Sequence, residues 1–110
     1  MTRTHSIEIE LPFPPSVNRY WRYARGRHYV SPRVKKFWAA VAAAIRCKKP
    51  FSGEVGVDVE VYPPDQRRRD IDNLLKSILD GLQYAGVYRD DSQVSMIRIV
   101  RCEVVNKGRC

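Results

Sequence analysis

The chain has 110 residues, which is the length of one domain, and we expect a single domain over residues 1–110. Hydrophobic residues make up 44% and charged residues 29%, which excludes an intrinsically disordered chain. No apolar run is long enough to cross a bilayer, and no secretory signal pattern opens the sequence. The three cysteines lack C-x-x-C spacing and predict neither a disulfide framework nor a zinc site, so a reduced cytoplasmic protein is the expectation.

The charge is distributed unevenly along the chain. Lys and Arg number 20 against 12 Asp and Glu, a net charge of +8, and residues 1–55 carry all of this excess. Six of the acidic residues lie between Asp65 and Asp91. Basic surfaces attract phosphate backbones, whereas grouped carboxylates repel them unless a cation lies between. This combination points to nucleic acid held beside a cation.

The first thirty residues predict a strand and an arm. Ile7, Ile9 and Leu11 alternate with glutamates, as in a half-buried strand, and the prolines that follow end it. Residues 18–30 are rich in arginine and aromatic side chains, and residues 24–27 suit a turn. We expect a hairpin or an extended arm there.

A helix and a strand follow the arm. Ser31-Pro32 supplies an N-cap and a first-turn proline, and apolar residues at helical spacing form a stripe from Val34 to Ile45. Residues 50–53 are expected to break this helix. Valines at every second position from Val55 to Val61 then predict a strand.

The second half predicts a helix, a turn and a long strand. Apolar residues recur at helical spacing from Ile71 to Leu82, and Gly86 lies where a left-handed C-terminal residue belongs. After a polar turn at 89–92, residues 94–105 read as a strand with a bulge or with burial on both sides. The order of elements predicts an α/β (α+β) fold with two helices packed on a small mixed sheet, whose other face is left for a partner subunit.

The segment Arg67-Arg-Arg-Asp-Ile-Asp-Asn73 opens the second predicted helix. Its arginines are unfavourable for the helix, because the N-terminal end of the helix dipole is also positive. They are either a solvated basic run or a binding site for a phosphate, and we favour the phosphate site. Asp70 and Asp72 are either a helix cap and a first-turn acid or two ligands of one ion. Taken alone, the two aspartates fit the capping role better.

Further charged groups follow this segment. Asp90-Asp91 adds two carboxylates, and periodicity leaves open whether they return to Asp70 or only form a turn. Three carboxylates around one ion would suit Mg²⁺, which prefers oxygen ligands and can activate water against a phosphodiester. Asp72 and Lys76 have the i,i+4 spacing of a surface ion pair, and Asp80 lies on the same face.

Three stretches of the sequence resemble the RusA-type Holliday junction resolvases. They are Pro14-Pro-Ser-Val-Asn-Arg-Tyr20, Asp65-Gln-Arg-Arg-Arg-Asp-Ile-Asp-Asn-Leu-Leu-Lys76 and Gly86-Val-Tyr-Arg-Asp-Asp-Ser-Gln-Val94. The resemblance covers nearly the whole chain. It implies a homodimeric, Mg²⁺-dependent endonuclease, with Mn²⁺ as an alternative metal, that cuts four-way DNA junctions in recombination and repair and is often encoded on prophages.

The resemblance also implies roles for individual residues. Asp70, Asp72 and Asp91 match the metal-binding catalytic acids of that family, and Lys76 matches a lysine implicated in catalysis. We further expect a larger set of side chains to contact DNA. These are Arg67, Arg68, Arg69, Asn18, Arg19, Arg22, Arg25 and Arg27. Aromatic residues of the arm either stack on unpaired bases or pack across the hairpin; they are Tyr20, Trp21, Tyr23 and Tyr29. Phe37 and Trp38 are expected in the core.

Two other functions stay open. A non-catalytic nucleic-acid-binding module would bind in a salt-sensitive way without strand scission, and a less selective nuclease would share the fold and the metal. Paired symmetric nicks need two sites, which a two-fold dimer supplies. Proteins of the family usually continue past the Lys-Gly turn into a further strand, whereas this chain stops at Cys110, so we expect less protection of the sheet edge and a weaker dimer.

Overall fold

Two helices and four strands are the main elements of the computed structural model, which describes residues 6–16, 21–45 and 49–110, with the backbone alone for residues 22–24. In chain order they are β1 (Trp21–Ala24), β2 (Arg27–Val30), α1 (Pro32–Ala44), β3 (Val55–Val61), α2 (Asp72–Tyr84), a 3₁₀ turn (Asp91–Gln93) and β4 (Val94–Arg101). Within these ranges no helix has the length and apolar character of a membrane span.

β1 and β2 form the predicted hairpin. They pair antiparallel, with Trp21 opposite Val30 and Ala24 opposite Arg27. Arg25 and Gly26 between them have φ values of 53° and 76°. Two successive positive φ values define the type I′ turn, whose twist matches that of the strands it joins.

α1 begins where predicted and ends earlier than expected. The Ser31 hydroxyl accepts a hydrogen bond from the Val34 N–H at 3.4 Å, and Pro32 opens the helix. The helix ends at Ala44 instead of continuing to residues 50–53, because Ile45 adopts an extended conformation and packs its side chain into the core.

β3 and β4 form a parallel pair. Val55 pairs with Val94 and Gly56 with Met96, so the extra residue of the predicted bulge is Ser95. β4 ends at Arg101, short of the predicted residues 94–105. Its partner β3 ends at Val61, and Pro63 has no N–H with which to continue the ladder.

Residues 6–11 do not form the predicted strand, because only Leu11 of this segment pairs with a neighbour in the described part of the chain. Leu11 and Cys110 exchange two backbone hydrogen bonds of 2.7 and 3.0 Å. Arg109 and Tyr62 exchange two more, of 2.8 and 2.9 Å. The predicted alternation is kept only in part, since Leu11 is buried, Ile9 is half-buried and the two glutamates are exposed, whereas Ile7 is 45% exposed.

The core lies between the two helices and one face of β3. Its buried members are Leu11, Phe37, Val41, Ile45, Val59, Val61, Leu74, Ile78, Val87 and Tyr88. α1 and α2 approach closely at Gly81, where a Cβ would lie 3.1 Å from the Val41 side chain and 3.3 Å from that of Trp38. Phe37 is buried as predicted, and Trp38 is half-buried and stacks on Tyr84.

The α+β class is confirmed. The parallel β3–β4 pair and the antiparallel Tyr62–Arg109 bridge make a small mixed sheet. Leu74 and Ile78 fix one face of α2 in the core, so the opposite face, with Asp72 and Lys76, is turned to solvent.

Candidate active site

The start of α2 has no side-chain cap. Ile71 is in the N-cap position and makes no capping hydrogen bond, and Asp72 is the acid of the first turn. The backbone carbonyl of Asp70 accepts a hydrogen bond from the Asn73 N–H at 3.1 Å. In the described part of the chain the Asp70 carboxylate makes no capping hydrogen bond, and Asp70 and Asp72 are both exposed to solvent.

The three arginines before α2 differ in their surroundings. Arg69 Nη1 lies 2.8 Å from Asp65 Oδ1, and the guanidinium stacks over the Phe13 ring at 5.3 Å. The hydrogen bond from Arg69 lowers the pKa of the Asp65 carboxyl group. Arg67 and Arg68 are exposed. Arg69 therefore orders the segment, whereas Arg67 and Arg68 present their charges to solvent.

All three arginines line one groove beside the start of α2. This groove has a volume of about 450 Å³, and Arg101 adds a fourth guanidinium. Phe13 and Ile71 contribute apolar lining, while Asp65 and Glu103 contribute carboxylates. The excess of positive charge makes the groove suited to a phosphate backbone.

Charged residues follow one face of α2. Asp72, Lys76 and Asp80 recur every four residues, and Lys76 Nζ lies 3.2 Å from Asp80 Oδ2. The helical rise places Asp72 and Asp80 about 12 Å apart along the axis. The ammonium group of Lys76 thus lies between an acid at the helix start and a second acid two turns further on.

Asp91 lies near the Asp80 end of this row. Its N–H donates to Gln83 Oε1 at 3.2 Å. The hydrogen bond with Asp90 raises the pKa of the Asp91 carboxyl group, the charge of Asp80 raises it further, and Lys76 lowers it. Asp91 is therefore in a field of concentrated negative charge, which a bound cation would relieve.

The turn that carries Asp91 is held by Gln93. Its Oε1 accepts from the N–H groups of Arg89 and Asp90 at 3.0 and 3.3 Å, and its Nε2 donates to the carbonyls of Phe51 and Gly53, both at 2.9 Å. Together with the Asp90 side chain it completes a capping box. Our sequence interpretation gave Gln93 no role, although an acid followed three residues later by Gln is the spacing of that box.

The chemistry of the predicted metal ligands fits a hard divalent cation. Asp70, Asp72 and Asp91 offer exposed carboxylates, and Mg²⁺ prefers oxygen donors. Among residues 6–16, 21–45 and 49–110, no three His, Cys, Asp or Glu side chains come together as a group that could hold a metal ion. The convergence of the three aspartates on one ion thus stays a prediction.

The arm is described only in part. Outside the described residues lie Asn18, Arg19 and Tyr20, and Arg22 and Tyr23 are described by their backbone alone. Arg25 and Arg27 are exposed at the hairpin turn. Trp21 and Tyr29 are 57% and 40% exposed. Exposure of this extent is what stacking on a base would require.

Comparison with known proteins extends these observations. The chain matches the family model for endodeoxyribonuclease RusA over residues 12–109. It is 41% identical to the crossover junction endodeoxyribonuclease RusA of Escherichia coli (strain K12), over 108 residues that cover 96% of this chain and 90% of that protein. Proteins of the same name from Enterobacteria phage 82 and Shigella sonnei (strain Ss046) are 40% and 39% identical over the same shares.

Fold and site together define an α+β protein with an arginine-lined groove beside exposed carboxylates, which is an arrangement suited to binding a phosphodiester. The chain belongs to the RusA family of endodeoxyribonucleases, since the family model spans almost its full length.

Proposed function

We propose that this protein is a crossover junction endodeoxyribonuclease that cuts four-way (Holliday) DNA junctions during recombination and repair. Membership of the RusA family and the identity to the Escherichia coli protein support the reaction. The start of α2 supports the location of the site. There Asp70 and Asp72 are exposed and flank Ile71, which lines the arginine groove, and the Asp70 carboxylate makes no capping hydrogen bond in the described part of the chain.

Asp70, Asp72 and Asp91 are the proposed ligands of Mg²⁺, with Mn²⁺ as an alternative. When bound, the cation supplies Lewis acidity toward the phosphodiester and lowers the pKa of a water molecule. The aspartates hold this charge beside the groove that receives the phosphate. The hydrogen bond with Asp90 and the charges of Asp90 and Asp80 raise the pKa of the Asp91 carboxyl group, and a bound cation would lower it.

Lys76 is the proposed electrostatic stabiliser of the reacting phosphate. It lies one turn after Asp72, on the solvent-facing side of α2, and its ammonium group is exposed enough to reach a bound backbone. A positioned cation stabilises negative charge that develops in the transition state. Asp80 is a positioning residue in this scheme, because its carboxylate contacts the Lys76 ammonium group at 3.2 Å.

Phosphates that flank the cut are proposed to contact exposed arginines. Arg67 and Arg68 contribute from the groove, and Arg69 contributes through its ion pair with Asp65, which orders the segment. The arm is proposed to add contacts from a further set. Its members are Asn18, Arg19, Arg22, Arg25 and Arg27. Each phosphate neutralised in this way releases counterions, so binding weakens as salt rises.

A two-fold homodimer is proposed as the active assembly. One chain carries one set of the three aspartates, whereas resolution of a junction requires two symmetric nicks. A two-fold axis places two identical sites in matching orientations on the two strands.

The test is cleavage of a synthetic four-way junction, with linear duplex and single strand of the same sequences as comparison. We expect paired nicks in the junction with Mg²⁺, none with EDTA, and much slower cleavage of duplex and single strand. The Asp70→Asn variant should bind the junction without cutting it. Asp58→Asn is the matched control, since Asp58 is an exposed acid on β3 that pairs with Arg98.

Other outcomes select the alternatives. Salt-sensitive binding without any scission would identify a non-catalytic nucleic-acid-binding module. Equal cleavage of all three substrates would identify a less selective nuclease. Full activity of Asp70→Asn would overturn the proposed site.

A further inference from the structure

An aromatic pair beside Asp80 has no role in the function proposed above. Tyr84 is the last residue of α2 and Trp38 lies on α1, and their rings stack with centroids 5.5 Å apart and planes inclined by 27°. Tyr84 is 62% exposed, which is the largest value among the exposed large hydrophobic side chains of the described residues. We call these two stacked side chains the aromatic ledge.

The close approach of the two helices fixes the aromatic ledge. At Gly81, one turn before Tyr84, a Cβ would lie 3.3 Å from Trp38 Cδ1 and 3.1 Å from the Val41 side chain. The absence of a side chain at Gly81 lets Trp38 pack directly on α2, where it is half-buried. Trp38 thus covers one face of the Tyr84 ring, and the other face is open to solvent. A ring held on one face and open on the other is suited to stacking.

The aromatic ledge adjoins the candidate active site. Tyr84 follows Asp80 by one helical turn, about 6 Å along the axis of α2 and rotated by about 40° around it. Gln83, on the other side of Asp80, accepts a hydrogen bond from the Asp91 N–H at 3.2 Å. A distance of about 6 Å corresponds to about two nucleotides of a stacked strand. A DNA strand that lies along α2 with a phosphate near Asp91 therefore brings a neighbouring nucleotide to the ledge.

The surroundings of the aromatic ledge favour a nucleotide over an apolar protein partner. Gln83 next to Tyr84 and Lys35, one turn before Trp38, are both exposed, so the apolar surface is interrupted by polar groups. Protein partners instead recognise contiguous apolar patches. A nucleobase has a flat face for the ring and polar edges for the surrounding groups.

The charge of α1 also favours a nucleotide. This helix carries three exposed basic side chains, those of Arg33, Lys35 and Lys36, and its sequence contains no acidic residue. Basic side chains beside a stacking ring attract the phosphates that flank the stacked base. Lys35 is the basic residue one turn from Trp38, and a phosphate next to the stacked base is therefore expected to contact it.

We propose that the aromatic ledge binds one unpaired nucleobase of the DNA substrate, which stacks on the open face of Tyr84 while an adjacent phosphate contacts Lys35. This inference rests on the proposed function and makes Tyr84 a specificity-determining residue. In an intact duplex each base is stacked between its neighbours and paired, so its face is not available to the ring. An unpaired base at the crossover of a junction has a free face, and the ledge therefore favours the junction over the duplex.

The first test is photocrosslinking of synthetic four-way junctions that carry iododeoxyuridine at one position near the crossover at a time. Light that excites only the iodinated base joins this base to an aromatic ring stacked on it. The Asp70→Asn variant is used as the protein, since it is expected to bind the junction without cutting it. We expect a crosslink to Tyr84, located by mass spectrometry, from one position or two adjacent ones, and no crosslink to Tyr84 from linear duplex of the same sequence.

The second test is a double-mutant cycle on junction affinity. Tyr84→Leu removes the ring and keeps an apolar side chain, and it should weaken junction binding by about tenfold and leave duplex binding unchanged. An abasic nucleotide at the crosslinking position should weaken binding of the wild type by the same factor. Both changes together should weaken binding no further than either alone, because they remove the same contact. Tyr84→Phe keeps the ring and should restore the affinity that Tyr84→Leu loses.

Three outcomes would overturn the proposal. One is the absence of a crosslink to Tyr84 from every position. Another is full additivity of Tyr84→Leu and the abasic nucleotide. The third is equal weakening of junction and duplex binding by Tyr84→Leu together with a lower melting temperature, which would show that Tyr84 only joins the two helices. Cleavage is measured separately, so a junction that is cut without a crosslink refutes the ledge alone, whereas a crosslinked junction that the wild type never cuts refutes the proposed function alone.

Discussion

The two helices have the same length and begin in opposite ways. α1 starts with Ser31, a buried residue whose hydroxyl caps the helix, followed by a proline that suits the first turn. α2 starts at Asp72 after three arginines, with Ile71 in the cap position and no capping hydrogen bond. Each helix has 13 residues and buries one apolar face.

This difference separates a helix start that serves stability from one that serves binding. Uncapped N–H groups and the positive end of a helix dipole favour an anion, and arginines placed there strengthen that preference at a cost to the helix. Local rules are broken mainly where function requires it. Substitutions at the start of α1 should therefore lower the stability of the protein and leave DNA cleavage unchanged. Substitutions at the start of α2 should impair DNA binding or cleavage and leave stability nearly unchanged.

The largest effect is expected for Asp72→Asn. Cleavage of a four-way junction should fall by about 100-fold or more, because a ligand of the catalytic cation is lost. Junction binding in gel-shift assays and the melting temperature should stay close to those of the wild type. Asp58→Asn serves as the control and should cut normally. If Asp72→Asn cut at the wild-type rate, the proposal that the start of α2 takes part in cleavage would be contradicted.

Gln93→Ala should be the next largest in effect. The substitution removes four hydrogen bonds, three of them at exposed groups that water can satisfy, and we expect a loss of about 1–2 kcal/mol in the free energy of unfolding. Cleavage should fall as well, since the turn that positions Asp91 loosens. Urea denaturation and single-turnover cleavage measure the two effects. The control is Ser92→Ala in the same turn, and equal stability of the two variants would contradict the role given to Gln93.

Ser31→Ala tests the start of α1. Removing the cap should lower the free energy of unfolding by about 1 kcal/mol. Cleavage at a temperature well below the melting point should not change, because Ser31 is buried and lies far along the chain from the acidic residues of the proposed site. The comparison between the helices would fail if this variant lost activity while remaining folded.

Arg68→Gln tests the start of α2 and should have the smallest effect on stability. We expect the free energy of unfolding to stay the same or to rise by a few tenths of a kcal/mol, because a cation leaves the positive end of the helix. Junction affinity should fall, and the slope of log K against log salt should become shallower by about 1. Arg98→Gln, which removes an arginine from β4, is the matched control. An unchanged salt slope would show that Arg68 contacts no phosphate.

Local pattern predicted those parts of the fold that depend on neighbours in sequence. β3 begins and ends at the predicted residues, and the hairpin turn and the cap of α1 are as expected, because each is set by a few adjacent side chains. The strand at residues 7–11 was wrong because a strand requires a partner, and only Leu11 has one in the described part of the chain. β4 was predicted too long for the same reason, since its length is set by β3.

The candidate site shows the same division. The spacing of Asp70, Asp72 and Lys76 was visible in the sequence. Whether the Asp70 carboxylate accepts a capping hydrogen bond depends on the local backbone geometry, which only the structure provides. The position of Asp91 beside Asp80 depends on how the turn folds back on α2, and periodicity carries no information about that.

The most direct test of the account is the position of the metal ion. Crystals of the protein with a four-way junction and Mn²⁺, at a wavelength where manganese scatters anomalously, would locate it. We predict an anomalous peak bound by the carboxylates of Asp70, Asp72 and Asp91 next to a backbone phosphate. A peak held by Asp91 and Asp80 alone, with no ion at the start of α2, would contradict the account.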